Sequence, residues 1–206
     1  MDKDMTCWLI GPDLEKFYIP YAAITEREHL KKMGILEPHG EHGWRVTKPS
    51  FADIDPESFR PVAEFLCTGE FKARSTGPTG EPLEEEDLKS EAIELYAGAW
   101  EVANDLSLDD MMEAIIEKMR ATQPWPLVEL LIFASRVYSI PSVLAFPVEA
   151  NIEMRSLTSS FISANYNQYL NEHQETLMEK LQQFPELRRD VHQAMANEAA
   201  KEMDDD

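Results

Sequence analysis

The chain has 206 residues, of which 43% are hydrophobic and 28% charged, and its formal net charge is −20. A chain of this length and composition can bury a sizeable core, as one large domain or as a domain with a helical extension, so a disordered chain is excluded. The negative charge repels phosphate backbones and anionic lipid headgroups. We therefore expect neither nucleic-acid nor membrane binding.

The beginning of the chain shows a pattern typical of strands. Residues 6–10 form a short apolar run, residues 11–13 supply Gly, Pro and Asp for a turn, and residues 16–19 form a second run that leads into a helix. Residues 44–46 predict a further strand after a glycine-rich loop at residues 38–43. This part of the chain therefore predicts a small sheet.

A helix is predicted to begin at Asp55. Aspartate is a favourable N-cap, Pro56 occupies the first turn where its missing N–H costs nothing, and Gly69 is suited to end the helix. Residues 75–90 are rich in turn formers and then in acid, so we expect a solvated loop that leads into the next helix.

The rest of the chain is predicted to be helical. From Ser90 onward apolar residues recur at three- and four-residue steps, first in a hairpin of two helices with a break at Ser107. Further helices are predicted over residues 127–138, 149–170, 176–184 and 186–201. No internal repeat is present in the sequence.

Three motifs resemble those of a BTB/POZ domain over residues 4–121. They are Phe17-Tyr-Ile-Pro-Tyr21 after the strand hairpin, the capped helix with Asp55-Pro-Glu-Ser-Phe59 and Leu66-Cys-Thr-Gly69, and Glu101-Val-Ala-Asn-Asp-Leu106 in a later helix. Residues 122–203 resemble the helical tail of many fungal BTB proteins. The resemblance implies an α+β fold, a small sheet flanked by helices, followed by an all-helical C-terminal extension.

The resemblance also implies a function. It indicates a protein-interaction module or adaptor rather than an enzyme, with protein partners and no cofactor. One implied use is self-association through the N-terminal strand and first helix, and another is docking of a cullin-type ubiquitin-ligase scaffold on the helix before Phe71. The residues expected at these surfaces are Trp8, Ile24, Arg27, Leu30, Phe59, Phe65 and Phe71. Because Arg27 and the net charge oppose self-association, the homodimer is predicted to be salt-sensitive.

The cysteines and the N-terminus indicate the cellular compartment of the protein. Cys7 and Cys67 form no Cys-x-x-Cys pair, and both are interpreted as buried free thiols. That favours an intracellular protein of the cytoplasm or nucleus. The N-terminus shows no signal-peptide pattern, and the most apolar run, residues 127–134, is short and contains Glu129. We therefore expect no secretion and no membrane span.

Two other classes of function stay open. A structural subunit of a larger assembly would need no ligase partner, and its acidic surface would face basic neighbours. A small-molecule enzyme or sensor would need a polar pocket, which no nucleophile-elbow, zincin or P-loop motif predicts.

Three further features are interpreted as structural. His39 and His42 could bind a metal with Glu41, but no distant pair completes four ligands, so this segment is predicted to be a solvated loop. The acidic run at residues 84–87 is interpreted as solvated charge. The methionine stripe is interpreted as core and consists of Met111, Met112 and Met119. Of the four tryptophans, only Trp8 is expected at an interface.

Overall fold

The computed structural model describes residues 4–27, 29–30, 35–38, 43–73, 81–140 and 148–204. Within these ranges the protein is α+β, as the sequence predicts. The described strands are β1 (Met5–Ile10), β2 (Glu15–Pro20), β3 (Ile35–Pro38) and β4 (Trp44–Thr47). From Glu85 onward every described element is a helix.

The four strands form one mixed sheet in the order β2-β1-β4-β3. β1 pairs antiparallel with β2 and parallel with β4, while β3 pairs antiparallel with β4. Three of these strands match the prediction. β3 was not predicted, because Glu37 and Pro38 interrupt its apolar pattern, and the placement of Pro38 in a loop was wrong.

The helices are α1 (Tyr21–Thr25), α2 (Pro56–Thr68), α3 (Glu85–Asp105), α4 (Asp109–Ala121), α5 (Leu127–Ser139), α6 (Val148–Ala164), α7 (Tyr166–Glu172), α8 (Gln174–Gln183) and α9 (Pro185–Asp204). A 3-10 turn over Pro49–Asp53 precedes α2. The single helix predicted over residues 149–170 is two helices, because the chain leaves helical geometry at Asn165, a residue type that favours helix ends.

The predicted caps of α2 are present. The Asp55 carboxylate accepts from the backbone N–H of Glu57 at 3.4 Å and of Ser58 at 3.1 Å. Gly69 adopts a φ of 78° and donates its N–H to the Phe65 carbonyl at 2.8 Å. Both ends of α2 are therefore set by local capping chemistry.

Gly11 ties the β1–β2 hairpin to the start of α2. Its φ is 78°, its N–H donates to the Phe51 carbonyl at 2.8 Å, and an added β-carbon would lie 2.8 Å from the Pro56 ring. Only glycine combines this backbone angle with so close an approach. The sheet and α2 are thus held in one arrangement.

The buried apolar side chains form one continuous cluster that extends from the sheet through α3 into the C-terminal helices. Trp100 on α3 is fully buried and its ring lies 6.4 Å from that of Phe133 on α5. The methionine stripe lies in this cluster, as predicted, with Met111, Met112 and Met119 all fully buried. The C-terminal helices α5 and α6 therefore pack directly on the α3–α4 hairpin.

Candidate interaction surface

The apolar side chains expected at interaction surfaces lie in the core. Trp8 is only 2% exposed, its ring stacks on Phe51 with centroids 5.2 Å apart, and its indole N–H donates to the Thr6 hydroxyl at 3.0 Å. Trp8 was expected at an interface from its position alone, but its ring is buried within this chain, because β1 directs it towards α2. The other buried members of the set are Ile24, Leu30, Phe59, Phe65 and Phe71. These side chains can support a binding surface by packing under it, but they cannot contact a partner themselves.

Arg27 is the one polar residue of that set. Its guanidinium forms an ion pair with Asp110 on α4 and donates to the Ala23 carbonyl at 3.1 Å. The side chain is 22% exposed. Its charge is therefore balanced within the protein, and it opposes self-association less than an isolated surface cation would.

The edge strand β2 presents one of its two faces outward. On β2, Phe17 and Ile19 are buried, whereas Lys16 is exposed and Tyr18 is 48% exposed. Leu14, in the turn before β2, is 53% exposed. The alternation of side chains between the two faces of a strand could have identified Tyr18 as an exposed residue. The residues on both sides of it are apolar and point inward.

The two thiols differ in environment. Cys7 is buried as predicted, and burial raises its pKa against the opposing effect of Lys16 and Arg45. Cys67 is exposed, so its prediction as a buried thiol was wrong. Its position near the C-terminal end of α2 directs it outward, although its sulfur contacts the Tyr18 carbonyl at 3.6 Å and desolvation raises its pKa.

A groove of about 500 Å³ runs between α2 and α3. Its acidic lining residues are Asp55, Glu57, Glu64, Glu91 and Glu94. Two cations also line it, Arg60 and Lys72, and Arg60 is already paired with Glu57 and Glu15 at 3.1 Å each. The groove is therefore negatively charged.

Buried side chains pack directly beneath the walls of this groove. α2 buries Phe59, Val62 and Leu66 against the sheet and α3, while Glu64 is exposed on the opposite side. The Phe59 ring lies 5.6 Å from Trp8 and 5.0 Å from Phe17. An ordered core beneath a charged surface favours binding of a partner at a fixed position.

The described residues show little that could support metal chemistry. No group of three or more His, Cys, Asp or Glu side chains among them is arranged to hold a metal ion. The segment with His39 and His42 lies outside the described residues, and its interpretation as a solvated loop stays a prediction. In the part of the chain that the structure describes, no helix is both long and apolar enough to cross a membrane.

Comparison with known proteins finds no matching family model, no matching curated protein and no matching solved structure. The α+β class thus follows from the structure itself. The BTB/POZ resemblance depends on the three sequence motifs alone.

Proposed function

We propose that this chain is a protein-interaction module of the BTB/POZ type that docks a protein partner on the acidic groove between α2 and α3. One observation carries the proposal: the groove is lined by α2, the helix on which the resemblance places partner docking. A partner segment rich in lysine or arginine would complement its charge, and such complementarity favours both specificity and fast association.

The segments that carry the resemblance meet in one place, which supports this proposal. The β1–β2 hairpin and α2 share an aromatic cluster formed by Trp8, Phe17 and Phe59. α2 in turn packs on α3, which contains the third motif. A cullin-type ubiquitin-ligase scaffold is the partner class that the resemblance implies for this helix.

An intracellular location is part of the same proposal. Its support is that Cys7 and Cys67 are both free thiols. Free cysteines are typical of reducing compartments, where ubiquitin-ligase scaffolds would also be available.

Affinity purification with mass spectrometry from the source cells tests the proposal. The groove variant combines Glu64→Lys and Glu94→Lys, since both carboxylates are exposed on the groove walls. The control combines Glu113→Lys with Glu175→Lys, two exposed acids outside this groove, so that the net charge changes equally. Circular dichroism confirms that each variant folds.

We expect the wild-type chain and the control to capture cullin and ubiquitin-ligase components, and the groove variant to lose them. Equal capture by all three proteins would exclude the groove as the docking surface. A fixed stoichiometric complex without ligase components would instead favour a structural subunit of a larger assembly.

A further inference from the structure

Arg60 is a cation of the chain itself in the wall of the acidic groove between α2 and α3. It belongs to the α2 wall, and Lys72 is the other cation among the described residues that line the groove. The carboxylates around them would attract a basic partner segment, whereas these two cations would repel it. The binding strength of the groove therefore depends on how firmly each cation is held there.

Contacts on the side of the sheet hold Arg60 in place. Its Nη2 nitrogen lies 3.1 Å from a carboxylate oxygen of Glu57, which is nearly one turn earlier on α2, and 3.1 Å from one of Glu15 on β2. Its guanidinium carbon lies 5.8 Å from the centre of the buried Phe17 ring. Neither Glu15 nor Phe17 is among the residues that line the groove. A partner that enters the groove therefore need not break these two contacts, and Arg60 stays in the wall.

Lys72 is held less firmly than Arg60. Its side chain is exposed, and it forms no ion pair with any residue that the structure describes. An ammonium group on a flexible stem can turn towards solvent, whereas a planar guanidinium that contacts two carboxylates keeps its position. Arg60 is therefore the cation that a basic partner cannot readily displace.

We propose that Arg60 limits the affinity of this groove for a basic partner segment. The proposal rests on the proposed function, because it assigns a regulatory role to one residue of that docking site. A fixed like charge in the wall repels the cations of the partner, and its pair with Glu57 weakens the attraction that this carboxylate exerts. Like charges that face each other across an interface also exclude unsuitable partners. Arg60 thus narrows the range of basic segments that the groove retains.

A structural role, the joining of α2 to β2, is the alternative for Arg60. Its side chain is 50% exposed, and the side chains of Glu15 and Glu57 are 43% and 57% exposed, so both pairs are screened by water. Pairs of this kind contribute little to stability. The Phe17 and Phe59 rings, 5.0 Å apart, already join β2 to α2 in the core. Removal of the Arg60 charge is therefore expected to leave the protein folded.

Fluorescence anisotropy on the full chain tests the proposal. The probe is a short fluorescein-labelled peptide of alternating lysine and serine residues, and the same peptide with glutamate in place of lysine is the negative control. Arg60→Gln removes the cation, and Arg60→Lys keeps it. Arg120→Gln is the matched control, because Arg120 also pairs with a glutamate three residues earlier, Glu117, and with Glu153 on another helix, and does not line the groove.

We expect Arg60→Gln to bind the lysine peptide about threefold more tightly than the wild-type chain, which is the size of effect that one exposed charge produces. Arg60→Lys and Arg120→Gln are expected to bind it as the wild-type chain does. The difference between Arg60→Gln and wild type is expected to shrink at high salt, because salt screens the repulsion. Circular dichroism checks each variant. Arg60→Met, which lacks the charge but keeps an apolar contact with Phe17, replaces Arg60→Gln if that variant does not fold.

Three results would overturn the role of Arg60. The first is that Arg60→Gln binds the lysine peptide no more tightly than the wild-type chain. The second is equal tightening by Arg60→Gln and Arg120→Gln, since that would indicate attraction by net charge alone. The third is that Arg60→Lys binds as tightly as Arg60→Gln, since the charge would then not be the cause.

The groove variant and its control separate this proposal from the proposed function. If the variant with Glu64→Lys and Glu94→Lys binds the lysine peptide as tightly as the control with Glu113→Lys and Glu175→Lys, the docking site itself is wrong, and the role of Arg60 falls with it. If the groove variant loses the peptide while Arg60→Gln matches the wild-type chain, the docking site stands and only the role of Arg60 is wrong. Absence of binding by both the wild-type chain and Arg60→Gln would overturn both proposals.

Discussion

Ser58 on α2 and Gly98 on α3 lie in direct contact: a β-carbon added to Gly98 would come within 2.5 Å of the Ser58 hydroxyl oxygen. It would also lie 2.9 Å from the Ser58 β-carbon and 3.3 Å from its α-carbon. The hydroxyl can rotate away, but the α-carbon cannot move without α2. The spacing of the two helices, and with it the acidic groove, depends on glycine at this position.

Gly98→Ala is therefore expected to destabilise the protein. Alanine in a helix gains about 1 kcal/mol over glycine, but forcing a methyl group into a filled contact typically costs about 1–3 kcal/mol. We expect the steric cost to exceed the gain in helix propensity, so that the free energy of unfolding falls. Urea denaturation measures this free energy. Combining Gly98→Ala with Ser58→Gly is expected to recover part of the loss, since the nearest two atoms are then gone. A more stable Gly98→Ala variant would contradict this account.

Trp8→Ala distinguishes a core residue from an interface residue. Because the ring is fully packed between Phe51 and Phe59, its removal is expected to lower the free energy of unfolding by about 3–5 kcal/mol. Tyr18→Ala, on the exposed face of the neighbouring strand, is expected to change it by less than about 0.5 kcal/mol. Urea denaturation compares the two. Equal stability of both variants would show that Trp8 is not in the core.

Local chemistry explains which parts of the fold the sequence could predict. The bounds of α2 were predicted because Asp55, Pro56 and Gly69 act within one turn of the helix end. The strands before it were predicted because their apolar runs are short and bounded by turn residues. β3 was missed because its pairing with β4, and not its own composition, makes it a strand.

The candidate surfaces could not be predicted in the same way. Cys7 and Trp8 are adjacent on β1 and point to opposite faces of the sheet, and both are buried. The sequence of this strand therefore does not alternate between apolar and polar residues in a way that would indicate which face a partner could reach. The contact between Ser58 and Gly98 depends on which helix faces meet, and helical periodicity does not specify that.

Glu101 is expected to make the stability of the protein depend on pH. Burial raises its pKa from the ordinary 4.5, although the Arg136 guanidinium at 2.8 Å acts in the opposite direction. The folded chain then holds this proton more tightly than the unfolded chain does. Its contribution to stability is greatest below the ordinary pKa and is lost as the pH rises through the raised pKa. The pKa of Asp105 is also raised by burial, against the effect of Lys48, and has the same sign.

Glu101→Gln, which resembles the protonated carboxyl, tests this sign. The free energy of unfolding of the variant relative to wild type is expected to rise as the pH increases from below 4.5 through the raised pKa. Urea denaturation at a series of pH values measures it. Glu113→Gln, on the exposed side of α4, is the control for the loss of one carboxylate. A difference between Glu101→Gln and wild type that stays constant with pH would contradict the prediction.

Self-association is predicted at high ionic strength. The resemblance implies a dimer surface near the N-terminal strand and first helix, where, among the residues that the structure describes, Leu14 and Tyr18 are large apolar side chains that are exposed. The formal charge of −20 repels a second copy, and salt screens that repulsion. Apolar burial, worth about 25 cal/mol per Å², is not screened in this way. The homodimer is therefore expected to tighten as salt increases.

Light scattering after size-exclusion chromatography at low and high salt measures this association. At high salt we expect a mass near twice 23.6 kDa, and at low salt a lower mass as the dimer dissociates. Tyr18→Glu is expected to return the high-salt sample to the monomer, because it places a like charge in the apolar contact. Ile152→Glu, at an exposed apolar position on α6, adds the same charge elsewhere and is expected to leave the dimer intact. A mass near 23.6 kDa at both salts would exclude self-association, and it would favour the proposal of a monomeric adaptor over that of a homodimer.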